Sequence, residues 1–187
     1  MGVLANPAAV RIRIAAKAKS RAEAESLIEP VDAEIRRRLP NLVMGVDDDT
    51  VEGVVDRLMA DRGWSFAVAE SASGGAIAQR LIAPGSTQFA GARVVRMESL
   101  DLDDVSKTGR SLASSVRDEF GSTCGLAVVS DPGAGATVVS FVHPDGAEEW
   151  VFGRAGTGDI MQARIATVSL EFVRRFLVGA PVQIGRV

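Results

Sequence analysis

The chain has 187 residues, is 47% hydrophobic and carries a formal net charge of −3. That is enough apolar material for one full domain plus a smaller piece, and too little charge of one sign to suggest a nucleic-acid or acidic-substrate binder by bulk electrostatics. No long uncharged apolar run appears, and "MGVLANPAAV" lacks the charged start and apolar core of a secretory signal, so a cytoplasmic location away from membranes is expected.

In chain order, "AVRIRIAAKA" alternates with a two-residue period: Val10, Ile12 and Ile14 point one way, Arg11 and Arg13 the other, as in a half-buried strand. "SRAE" then reads as a capping box, Ser20 capping and Glu23 reaching back. It opens a helix with Leu27, Ile28, Val31, Ile35 and Leu39 on one face, closed by Pro40. "NLVMGV" reads as a second strand. Asp49 with Glu52 is expected to cap a helix whose Val51, Val54, Val55, Leu58 and Met59 recur at helical spacing, and Gly63 ends it.

Charge is uneven over this part of the chain. Residues 1–40 hold eight Lys/Arg against five acids, and residues 41–63 six acids against two arginines. A basic face of Arg11, Arg13, Lys17, Lys19 and Arg21 has no aromatic neighbour to stack a base, so a solvated face is expected rather than a nucleic-acid site.

The stretch "WSFAVAESASGGAIAQRLIAPG" follows. Ser65–Ala69 is continuously apolar, the mark of a strand covered on both sides, and it runs almost without a loop into a helix. Ser71 and Ser73 place hydroxyls at that helix start, and Gly74 and Gly75 let a ligand approach the backbone. The turn reads either as a cradle for a phosphate or carboxylate or as a simple helix cap. Beyond it, "ARVVRM" reads as a strand, "SLASSVRDEF" as a short helix and "CGLAVVS" as a buried strand. "ATVVSFVHPDGAEEWVFG" reads as a hairpin turning at Pro144-Asp145-Gly146, which leaves His143 as a surface residue beside the turn. "GDIMQARIATVSLEFVRRFLVG" is a long helix, with Asp159 and Gln162 placed for its cap and Ile165, Val168, Phe172 and Phe176 apolar.

Strands alternating with helices, plus one hairpin, predict an α/β fold: a three-layer α/β/α sandwich with a mixed sheet, over residues 49–187. Residues 1–48 form a small α+β piece unable to bury much area alone, which argues for packing on the main domain, on another copy or on a further segment, and so for a homo-oligomer. The single cysteine, Cys124, is expected to be a small buried residue. One cysteine and one histidine are too few for a structural zinc site, so neither metal nor cofactor is expected, and the acidic "DDDT" run reads as a solvated helix start.

"VAESASGG" resembles the signature V-A-E-S-C-T-G-G that opens the CinA C-terminal domain, the nicotinamide-nucleotide amidohydrolase family. "GSTQFAGARVV" is similar to that family's next segment, and "GDIMQARI" to its G-D-R-x-x-I-R. Residues 7–63 are similar to the KH-like portion that precedes this domain, together with the domain's own first helix. The resemblance implies hydrolysis of the carboxamide of nicotinamide mononucleotide, with Ser71 as candidate nucleophile. Glu70, Ser73, Gly74, Gly75 and Arg164 would be ligand contacts, the arginine pairing with the phosphate.

The departures are as informative. Where the family reads V-x-Y-S-N-E-x-K, this chain has "VVRMESLD", so Arg96 replaces the tyrosine and Asp101 the lysine, and the chain has no tyrosine at all. The family's T-G-I-A-G-P loop is shortened to "VSDPGAGAT". Lys107 is the one lysine of the main domain. Three readings follow: a degenerate, weak or inactive relative acting by binding a nucleotide or a partner; an active amidohydrolase recruiting Glu70, Asp101 or Lys107 as base; and a scaffold without a small ligand.

Overall fold

The computed structural model describes residues 1–5, 10–83, 85–153 and 158–182. Its centre is β3 (Phe66–Glu70), buried throughout. Phe66 and Val68 point to one face and Ala67 and Ala69 to the other, and this difference in size decides how the two helical layers sit. The large side chains face a thick core, the small ones a helix pressed close to the sheet.

On the first face, α2 (Val51–Asp61), α3 (Ala76–Ile82) and α5 (Gly158–Leu177) bury Val55, Met59, Ile77, Leu81, Ile165 and Leu170 against Phe66 and Val68. On the other, α4 (Val105–Glu119) lies alone over Ala67, Ala69 and Ala127 through Ala113 and Val116. A Cβ built on Gly125 would meet the Ala113 carbonyl oxygen at 1.9 Å, so only glycine permits this approach.

The five-stranded sheet has the order β4-β3-β5-β6-β7, with β4 (Phe89–Val94), β5 (Cys124–Asp131), β6 (Ala136–His143) and β7 (Gly146–Gly153). β4 and β5 both run parallel to β3, while β5, β6 and β7 are antiparallel neighbours. The expected three-layer arrangement with a mixed sheet is therefore present. From β3 the chain passes through α3 to β4 on one side, then through α4 back to β5 on the other. The carboxyl ends of β3 and β5 therefore flank the point where strand order reverses, the usual seat of a ligand in open α/β sheets.

The first residues form a separate hairpin, β1 (Gly2–Ala5) with β2 (Val10–Arg13), followed by α1 (Arg21–Arg38). Ser20 caps α1 by accepting from the Glu23 N–H, while the Glu23 carboxylate accepts from the Lys19 N–H, one residue earlier than a regular capping box.

Several elements differ from expectation. β1 was not legible: four small apolar residues make no periodic pattern. Asn41–Val46 is a turn rather than a strand, because Asn41 takes a positive φ of 63° and the Asp49 carboxylate accepts from the Val46 N–H. With Asp49 engaged there, Thr50 caps α2, accepting from Gly53 N–H. α4 begins at Val105, six residues before the expected start at Ser111, since the Asp104 side chain accepts from Lys107 N–H and caps it. Asp159 lies inside the first turn of α5 and is not its cap.

His143 is also displaced from its expected place. It is 6% exposed, packed on Trp64, Phe141 and Phe176 rather than on the surface. The strand alternation of β6 turns it onto the same face as Phe141 and Val139, so the core claims it despite the adjacent turn.

Candidate functional site

β3 ends at Glu70, and the next five residues, Ser71–Gly75, make the turn into α3. The turn is tied to the sheet by its own backbone: Ser71 N–H and Ala72 N–H both donate to the Val128 carbonyl of β5. Gly74 and Gly75 have φ of 62° and 97°, which lets the chain reverse within two residues.

The anion at this helix start belongs to the chain itself. One Glu70 carboxylate oxygen accepts from Ser73 Oγ at 2.7 Å, from Gly75 N–H at 3.1 Å and from Ile77 N–H at 2.9 Å. The other accepts from Ala78 N–H at 2.8 Å. Glu70 and Ser73 are both fully buried. The N–H groups of Gly75, Ile77 and Ala78, which sequence reasoning offered to an external phosphate or carboxylate, are held by Glu70 instead. The cause is reach: a glutamate as the last strand residue, preceding a turn this short, can fold its carboxylate back onto the helix axis. Glu70 and Ser73, expected as ligand contacts, have their side-chain polar atoms committed to each other and to the backbone.

Ser71 is the turn residue with chemistry left over. Its Oγ is buried and has no hydrogen-bond partner among the described residues. Among the described residues none of the groups considered as its base, Glu70, Asp101 and Lys107, is hydrogen-bonded to it. Arg96 is 87% exposed and pairs with Glu98 at 3.3 Å. The exposed Asp101 carboxylate accepts from Asp103 N–H, and Lys107 is exposed on the first turn of α4. His143 sits at the opposite end of the sheet, one residue beyond the Val142–Gly125 pair and so level with the amino end of β3. Strand rise puts it roughly 15 Å from the carboxyl end where Ser71 lies.

From α5, Gln162 reaches the turn. A Cβ on Gly74 would lie 2.8 Å from Gln162 Nε2, so the carboxamide of Gln162 rests directly against this glycine. Gly75 is bordered by Val94 at the end of β4, 3.4 Å from a Cβ there. Arg164 is half-buried and has no ion pair among the described residues. Two residues along a helix is about 200° of rotation, so Arg164 does not share the face Gln162 presents to the turn. The sequence had marked Gln162 for a cap. Its contact with Gly74 joins positions far apart in the chain, and no local pattern announces it.

The shortened "VSDPGAGAT" segment forms the β5–β6 turn, where Asp131 accepts from Ala134 N–H. Beside it an open recess of about 540 Å³ is lined by Asp103, Asp104, Ser106 and Asp131 among others. Its three carboxylates disfavour an anionic ligand, and it does not include the Ser71–Gly75 turn. Among the described residues, no group of three or more His, Cys, Asp or Glu is placed to hold a metal ion, and no helix is long and apolar enough to cross a membrane. Cys124 is buried, and burial pushes its thiol up to about 11, against a smaller opposing effect of the Thr123 hydrogen bond.

These features define a doubly wound α/β domain whose strand–turn–helix element stands at the strand-order reversal. The match to known proteins agrees. A family model for the damage-inducible protein CinA KH domain covers residues 1–45. A CinA-like protein of Frankia casuarinae is 35% identical over 202 aligned positions, taking in 95% of this chain and 47% of its own. A CinA-like protein of Myxococcus xanthus is 32% identical, over 91% of this chain and 47% of its own. Among solved structures, a competence damage-inducible protein A from Klebsiella pneumoniae superposes with a TM-score of 0.59 at 19% identity, covering 68% of this chain and 95% of that one. The chain belongs to the CinA family. It spans about half the length of the curated relatives named here.

Proposed function

We propose that this chain, with residues 1–48 and 49–187 as separate units, keeps the ligand-binding turn of the CinA C-terminal domain but is weak or inactive as a nicotinamide-mononucleotide amidohydrolase. On this reading it acts in the cytoplasm by binding a small nucleotide or a partner. Carboxamide hydrolysis needs a nucleophile, a group to take its proton, donors for the developing oxyanion and a seat for the phosphate. The observation that carries the reading is that Ser71 Oγ has no hydrogen-bond partner among the described residues, while its neighbour Glu70 is fully engaged as a helix cap. A serine hydroxyl without a base is a poor nucleophile at neutral pH, and losing the base costs roughly 10²–10⁴-fold in rate.

A second reading is favoured by the same atom. A buried hydroxyl left unpaired costs about 1–3 kcal/mol, and such groups are often kept for a ligand or a reaction. In that case the chain is an active amidohydrolase of pyridine-nucleotide salvage that recruits Glu70, Asp101 or Lys107 as its base. The test is incubation of the pure protein with nicotinamide mononucleotide, following ammonia and nicotinic acid mononucleotide, with Ser71→Ala as control. Absence of product, together with a rise in Tm on adding the nucleotide, is the expected result. Robust turnover that vanishes in Ser71→Ala would overturn it in favour of the enzyme, and neither turnover nor a Tm shift would leave a scaffold role.

A further inference from the structure

The start of α3 holds a negative charge of its own and no positive one to balance it. The Glu70 carboxylate is fully buried and takes four hydrogen bonds, from Ser73 Oγ and the N–H groups of Gly75, Ile77 and Ala78, yet no lysine or arginine pairs with it among the described residues. The arginines of the flanking elements are committed: Arg80 of α3 to Glu52 and Thr167, Arg93 of β4 to Glu119 and Ser115, and exposed Arg96 to Glu98. Arg164 lies off the face that Gln162 presents to the turn. Asp131 adds to the negative side. It closes β5 three residues beyond Val128, whose carbonyl accepts from Ser71 and Ala72 N–H, so strand rise puts it roughly 10 Å from the turn. Asp103 and Asp104 line the same recess as Asp131, and against these three carboxylates the first turn of α4 sets one exposed lysine, Lys107. That separation is about one screening length at physiological ionic strength, so the carboxylates act on a ligand of the turn.

The groups left open to a ligand are uncharged. Ser71 Oγ is unpartnered among the described residues, and so is Oγ1 of Thr137 on β6, a fully buried residue. Glu70 aligns with Val128 of β5, and Val128 with Val139 of β6. The next rung on the same face, Ser130 with Thr137, lies just past the end of β3, level with the turn. From α5, Gln162 brings a carboxamide against Gly74. Hydroxyls and an amide bond uncharged groups, and a buried hydroxyl without a partner calls for one. We propose that the charge of this site selects an unphosphorylated ligand, a neutral or cationic nucleoside in preference to its nucleotide. The inference rests on the reading that the Ser71 turn still binds a ligand, and it specifies which. A phosphate monoester carries about −1.5 to −2 charge at neutral pH. Here it meets Glu70 where an open helix start would have received it. The pyridinium ring of a nicotinamide nucleoside is positive and suits the same field.

The test is isothermal titration of the full chain with two probes that differ only in the 5′-phosphate, nicotinamide riboside and nicotinamide mononucleotide. At low salt the riboside is expected to bind about tenfold more tightly or better, because like charges oppose the nucleotide. Raising the ionic strength screens that opposition and narrows the gap. Asp131→Asn, which keeps an acceptor for the Ala134 N–H, narrows it at low salt as well. So does Glu70→Gln, which removes the charge from the helix start. Should Glu70→Gln fail to fold, the two probes on wild type and Asp131→Asn still decide. A nucleotide bound as tightly as the riboside, or more so, would overturn the proposal while leaving ligand binding by the turn intact. Binding of neither probe would remove that underlying reading as well. A preference for the riboside unmoved by salt and by every folded variant would overturn the proposal too, since charge would not be its cause.

Discussion

Glu70 shows how one side chain can answer the demand its own sequence creates. A strand running straight into a helix exposes the helix's first N–H groups, and an anion placed there stabilises them. Glu70 is that anion. Glu70→Ala is therefore expected to lower stability by about 2–4 kcal/mol, because it strands the buried N–H groups and the Ser73 hydroxyl. Chemical denaturation reads this directly, and an unchanged midpoint would show that the carboxylate serves a ligand rather than the fold. His143 offers a pH test. Burial lowers its pKa, against weaker opposing effects of Glu148 and Asp145, so the folded state prefers the neutral ring. In the unfolded chain the ring titrates near ~6.5. Stability from this residue is thus full above that pH, falls as pH drops below it because the unfolded state takes up the proton first, and levels off below the folded value. Denaturation midpoints between pH 5 and 8 are expected to slope more steeply for wild type than for His143→Phe.

Among the elements, α4 is the one most tightly constrained by its neighbour. The face of the sheet beneath it is made of Ala67, Ala69, Gly91, Gly125 and Ala127, and the helix contributes Gly109 and Ala113. Gly125→Ala cannot be accommodated without moving the Ala113 carbonyl, which is backbone and has nowhere to rotate. A loss of about 3 kcal/mol or more is expected, whereas Gly2→Ala, with nothing within 4 Å, should leave stability unchanged. Thermal unfolding of the pair checks both. α2 is joined to the loop before β4 in a different way. Desolvation alone would raise the Asp56 pKa, but hydrogen bonds from Ser86, Gln88 and Thr87 outweigh it and hold the carboxyl below its usual range. This explains structurally why Gly85-Ser86-Thr87-Gln88 stands where it does.

At the scale of the whole molecule, a buried cation ties α5 to the turn after α1. Arg174 of α5 is 4% exposed, holds Glu171 by two bonds of 2.7 Å and donates to the Asn41 carbonyl at 2.7 Å. It therefore fastens the turn after α1 to the main domain. Arg174→Met is expected to cost about 1–3 kcal/mol, because the Asn41 carbonyl loses its donor while Glu171 keeps Arg175. Faster amide exchange over residues 39–46 is the readout that distinguishes loss of this fastening from general weakening of α5.

Much of this architecture was legible before any coordinates. The continuous apolar run of β3, the hydrophobic spacing of α2 and α5, the Ser20 cap and the Pro144-Asp145-Gly146 turn are local signals, set by periods and turn chemistry that a few adjacent residues carry. Tertiary structure decided what those signals leave open. That Glu70, not a ligand, fills the helix start depends on the turn's curvature in space. That His143 is buried depends on which face of β6 the helices cover. That Gln162 rests on Gly74, and that Ser71 Oγ has no partner among the described residues, are facts about groups far apart in sequence. Local pattern records which side chains can lie inward, but only packing determines which of them meet, because hydrogen bonds and close contacts act over a few ångströms of space rather than along the chain.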